Sequence, residues 1–134
     1  MTKAELQEYG QIQTDCISLK YKLDEMRSRM IFPKIPVLTG MPHGTTMEDR
    51  MAKSIAEYLE ASQQYADKLD ELTERLNYIE ACINQLPTTR ERTLLRNRYI
   101  NGMKWEEICV AMNYSWQHLH RIHALALLHI RDIE

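Results

Sequence analysis

The stretch "MEDRMAKSIAEYLEASQQYADKLDELTERLNYIEACINQL", residues 47–86, decides the fold. From Met51, alternate steps of four and three residues land on Ile55, Tyr58, Ser62, Tyr65, Leu69, Leu72, Leu76, Ile79, Ile83 and Leu86. Ser62 alone breaks this seam, and the positions between are mostly Glu, Asp, Lys, Gln and Arg. A seam of that period is a coiled-coil pattern, and it predicts a helix about 60 Å long at ~1.5 Å per residue. A single helix cannot bury its own stripe, so this one needs a partner.

Upstream, the same alternation joins Tyr9, Ile12, Cys16, Leu19, Leu23, Met26 and Met30, which predicts a first helix over roughly residues 3–31. The 15 residues between, "FPKIPVLTGMPHGTT" (32–46), hold three prolines and two glycines and cannot continue a helix. Thr45 or Thr46 suits the N-cap of the second helix, with Glu48 and Asp49 at the positive end of its dipole. Residues 1–86 thus read as a long antiparallel helical hairpin with a Pro/Gly loop at 32–46. The second helix is the longer, which leaves surface for another protein chain.

Downstream, Pro87 ends the long helix near Leu86. Thr88 and Glu91 have capping-box spacing, so a new helix starts at once and stops at Asn101-Gly102. "KWEEICVAM", the turn "NYS" and "WQHLHRIHALALLHIRDIE" complete the chain. Leu94, Leu95 and Tyr99, then Ile108, Ala111 and Met112, then Leu119, Ile122, Ala126 and Ile130 fall as a three-helix core requires. Asn113 tolerates the left-handed backbone of a tight turn, and Ser115 caps the last helix so that its first turns face outward. Residues 87–134 therefore read as a helix-turn-helix, and the whole chain as all-α.

Of 134 residues, 27% are charged and 44% hydrophobic, as in a folded globular protein. No apolar run approaches the ~18 residues of a membrane span, and "MTKAELQEYGQ" is no secretory signal, so the expected location is cytoplasmic. Residues 1–86 hold 10 Lys and Arg against 14 Asp and Glu, residues 87–134 hold 7 against 5 with four of the five histidines. A basic tail on an acidic body is compatible with a nucleic-acid partner. Cys16, Cys82 and Cys109 are odd in number, widely spaced and at apolar helical positions, which suits small buried hydrophobes. His118, His120, His123 and His129 match no zinc spacing, so no metal or other cofactor is expected. Glu106-Glu107 and Asp70-Glu71 do not converge on a helix, and no nucleophile–base pair or phosphate-cradling loop appears, which argues against an enzyme.

The run "LPTTRERTLLRNRYINGMKWEEICVAMNYSWQHLHRIHALAL" resembles region 4 of sigma-70-type RNA polymerase sigma factors, over about a third of the chain. With "PVLTGMPHG", "YINGMKWEEI" and "RIHALAL" together, the chain is similar to small phage and prophage proteins of the ArpU and RinA late-transcription-regulator type. The resemblance implies a sequence-specific regulator of phage or prophage genes that binds double-stranded DNA in a bacterial host. By matching position it places base contacts at Trp116, Gln117, His120 and Arg121. It places phosphate contacts at Arg98, Lys104, Trp105 and His118. Lys104 stands where that family prefers Ser or Thr, so its helix should lose a cap. His118 and His120 carry little charge at pH 7, so each module should grip DNA weakly and act as a homodimer built on the hairpin. The alternative is an interaction module for host RNA polymerase or its sigma factor. Leu125 and Leu128 lie where sigma proteins place Lys or Arg, so that face should pack either on the hairpin or on a second subunit.

Overall fold

In the computed structural model α1 (Lys3–Ile31) starts at a capping box: the Thr2 amide donates to Glu5 Oε2 at 2.6 Å, and the Glu5 amide donates to Thr2 Oγ1. The structure describes residues 1–31 and 47–133, and among them every regular element is helical. The expected loop 32–46, with its N-cap at Thr45 or Thr46, lies outside the described residues. α2 (Met47–Asn84), α3 (Thr89–Leu95), α4 (Trp105–Met112) and α5 (Trp116–Arg131) follow. α3 runs directly into one π turn, Arg96–Ile100, whose hallmark is the Asn101 amide reaching back to the Arg96 carbonyl at 2.9 Å.

The chain forms two compact units. One unites residues 1–14 with 70–134. Here Met1, Leu6 and Tyr9 of the N-terminal segment meet Ile79, Cys82, Ile83 and Leu86 of the segment that ends α2. Leu95, Tyr99, Ala126 and Ile130 complete that core. A second cluster holds Leu94, Ile108, Leu119 and Ile122, with Met103, Trp105, Cys109, Met112 and Tyr114 against it. Adjacent Leu94 and Leu95 thus serve different clusters, which puts α3 between them. Each fully buried Leu or Ile is worth ~1.5–3 kcal/mol, so α3 is pinned from both sides.

The packing therefore does not part after Leu86, where the sequence places a domain boundary. The reason is size. α3 and α4 span only 7 and 8 residues, too few to enclose the apolar faces that α3 and α5 carry, and the surplus is buried on α1 and α2. Polar ties follow the same contact: Arg96 Nε donates to Glu80 Oε2 at 3.0 Å and its Nη2 to Asn84, and Arg75 pairs with Glu8. Ala111, expected in the core, is exposed. The inner face of α4 is formed by Trp105, Ile108, Cys109 and Met112, and Ala111 lies off it.

The other unit covers residues 15–69. Lys68 Nζ lies 3.7 Å from Asp15 Oδ2, which sets α1 beside α2 there. Cys16 and Ala61 are its buried hydrophobic residues among those described, while Ile17, Tyr21, Met51, Ile55 and Leu59 are exposed. The long seam is therefore closed at Ile79, Ile83 and Leu86 and open at Met51 and Ile55.

Candidate nucleic-acid interface

Three backbone devices aim the surface of α5. Gly102, at φ +67°, takes the left-handed turn after the π segment at no steric cost. Asn113, at φ 57° and ψ 45°, makes the turn out of α4. Ser115 Oγ then accepts the His118 amide at 3.2 Å and caps α5. Tyr114, one residue before this cap, packs in the same cluster as Leu119, four residues beyond it. That pair is a hydrophobic staple and sets the angle at which the chain enters α5. Lys104 caps α4 with no side-chain bond, as its chemistry dictates. Its amide instead donates to Glu107 Oε2 at 3.0 Å, so the cap is half replaced.

With Leu119, Ile122 and Ala126 turned inward, the first turns of α5 present the opposite side. Gln117 and Arg121, one turn apart, are exposed there, and neither side chain has a partner among the described residues. Trp116 is 50% exposed and His118 is exposed. His120 is half-buried at the edge of this face. Lys104 is exposed as well.

The basic stretch "RERTLLRNR", residues 90–98, which includes the expected phosphate contact Arg98, is largely spent inside the protein. Arg92 Nη1 donates to the Leu86 carbonyl at 2.6 Å, two residues past the end of α2. Arg96 is held by Glu80 and Asn84. Arg98 Nη1 donates to the Met103 carbonyl at 3.0 Å, and its guanidinium lies 4.7 Å from the Trp105 ring centre. Trp105 itself is half-buried against the second core cluster. Both expected phosphate contacts at Arg98 and Trp105 thus have structural occupations. Proximity explains it: the π turn swings Arg98 onto the start of α4, where a cation over an indole is worth ~0.5–2 kcal/mol.

Arg90 has more freedom and was missed in the sequence. It is exposed, with its guanidinium 5.8 Å over the Tyr114 ring, and Tyr114 stacks on His118 at 4.7 Å. The "YS" pair before an outward-facing helix was the available signal, because a staple residue always sits beside the first turn. Arg90, Lys104 and Arg121 are the exposed cations around the front of α5.

Behind this face the rings form a ladder. Trp105 lies 4.6 Å from His120, which lies 4.5 Å from Trp116. Trp105 also meets His123 edge-on at 4.8 Å. His123 is buried, and its Nε2 is 2.8 Å from the Tyr99 hydroxyl. Burial first, then the positive charges of Lys3, His120 and Arg98, lower its pKa from 6.5 to about 4. His129 Nδ1 meets Glu91 Oε1 at 2.5 Å, and Glu91, 1% exposed, also accepts the Thr88 amide and hydroxyl. That carboxylate closes the expected capping box of α3 and ties it to α5. Among the described residues no group of His, Cys, Asp and Glu could hold a metal ion. No helix among them is long and apolar enough to cross a membrane. No protein-family model, curated protein or solved structure matches the chain.

Proposed function

We propose that α4, the turn at Asn113 and α5 are a helix-turn-helix that binds duplex DNA in a sequence-specific way, with α5 in the major groove. On this reading the chain regulates transcription of phage or prophage genes. One observation carries it. Gln117 and Arg121, without partners among the described residues, stand on one exposed face of a helix whose start is capped, stapled and packed on its far side. Long polar side chains give up rotamer freedom when ordered, so leaving two free on a rigid platform is suited to a partner. Gln pairs with adenine and Arg with guanine through two hydrogen bonds, each pair worth ~1–3 kcal/mol of discrimination.

The shortage of fixed charge is met in two ways. Arg90 and Lys104 are exposed and available to phosphates, which supply salt-dependent affinity. The rest comes from a second copy. Among the described residues of 15–69, Cys16 and Ala61 are the buried hydrophobic ones, and we read α1 and α2 as an antiparallel hairpin that pairs with another such hairpin. Two modules on a two-fold axis reach half-sites about 34 Å apart, or a multiple of this.

A mobility-shift titration with a duplex library of random sequence tests the reading. The full chain should enrich one sequence, and Q117A with R121A should lower the preference for it by at least about tenfold while helicity is kept. If the enriched pool is no tighter than the starting pool, the reading fails. Capture of RNA polymerase or its sigma factor by the same face would then favour the interaction-module alternative.

A further inference from the structure

His120 is held between two indoles, at 4.6 Å from Trp105 and 4.5 Å from Trp116. Its Nε2 is buried and has no hydrogen-bond partner among the described residues. The two indoles differ in how they are held. Trp105 packs in the second core cluster with the Arg98 guanidinium over it. Trp116 is the first residue of α5, half exposed, and its ring rests on His120. A ring pair at the surface is a weak tie, and a buried nitrogen without a partner is a standing cost. The free protein therefore keeps the His120 nitrogen buried in a ring stack of which Trp116 is the half-exposed member. His120 lies three residues beyond Gln117 and beside Arg121, at the margin of the face assigned to DNA.

We propose that Trp116 is a cover that the duplex displaces, and that His120 Nε2 then hydrogen-bonds to the exposed edge of a base. This deepens, and rests on, the reading of α5 as the groove-facing helix. The apolar surface of a thymine methyl or a sugar receives the indole as it leaves His120. Trp116 moves about its own side-chain torsions, and α5 stays capped by Ser115. The two residues thus act in sequence: Trp116 keeps the site closed in the free protein, and His120 reads once it is open.

Replacing His120 by Phe keeps a ring between the indoles and removes the nitrogen. A histidine that only packs would make H120F neutral or better in every assay. The cover mechanism gives opposite signs: Tm rises by about 2–4 °C, and affinity for the library-enriched duplex falls about tenfold. Emission provides a second readout, taken as the difference between the wild type and W116F so that Trp105 cancels. It should change on adding the enriched duplex and stay unchanged with the same concentration of a polyanion such as heparin. Wild-type affinity in H120F, or Trp116 emission indifferent to the bound duplex, overturns the cover mechanism and leaves DNA binding standing. A library that yields no enriched sequence overturns both.

Discussion

Arg96 and Arg121 carry the same charge and differ in what surrounds it. Arg96 is fastened to Glu80 and Asn84, while Arg121 is exposed with no partner among the described residues. R96A should lower unfolding free energy by about 1 kcal/mol in urea and leave the salt dependence of DNA binding as it was. R121A should leave Tm unchanged and relax the preference at one base position, as loss of a guanine contact requires. His123 makes a different forecast. Its folded pKa of about 4 lies below its ordinary 6.5, so the unfolded chain binds the proton first as pH falls. The stability owed to neutral His123 is complete above pH 6.5, is lost between 6.5 and 4, and falls no further below. Thermal melts across that window should show H123Q less pH-dependent than the wild type. Equal slopes would mean that other groups govern the acid limb.

At the scale of elements, α5 depends on its start. S115A removes the acceptor of the His118 amide and should cost about 1 kcal/mol. Because the cap also aims the face, the same change should weaken specific DNA binding more than non-specific binding. G102A tests the other turn. A φ of +67° is uncomfortable for any residue with a Cβ, and nothing crowds that position, so the penalty of about 1 kcal/mol is conformational alone. G102N should recover part of it, since Asn takes this region more readily. If G102A and G102N are equally stable, the strain argument is wrong. Leu125 and Leu128, 47% and 50% exposed, are not covered by α1 or α2 among the described residues of the protomer.

At the scale of the whole molecule, the open seam matters most. Ile17, Tyr21, Met51, Ile55 and Leu59 are exposed in the unit of residues 15–69, and the proposed dimer would cover them. Light scattering should give twice the mass of one 15.9 kDa chain, with a Tm that rises with protein concentration. I55E with L59E should give the single-chain mass and keep the fold of the unit built from residues 1–14 and 70–134. DNA affinity should then fall steeply, because the second half-site is lost. A wild type that weighs as one chain at high concentration would sink the dimer.

Local chemistry was legible from residue order. The seam from Met51 to Leu86 and the proline-rich break foretold two long helices, and α1 spans Lys3–Ile31 as its periodicity requires. The Thr88–Glu91 box, the Ser115 cap and the left-handed Asn113 were visible because each joins residues a few positions apart. Exposure of Gln117 and Arg121 follows from the same helical period once Leu119 and Ile122 face inward. Tertiary structure alone decided which cations are free. Glu80, Asn84, the Leu86 carbonyl and Trp105 claim Arg96, Arg92 and Arg98, and only folding brings those partners within a few ångströms. It also decided that Leu95, Tyr99, Ala126 and Ile130 bury against α1 and α2, because three short helices have more apolar face than they can cover among themselves. Periodicity says which side of a helix is apolar. What covers that side is settled by distances between elements far apart in the chain.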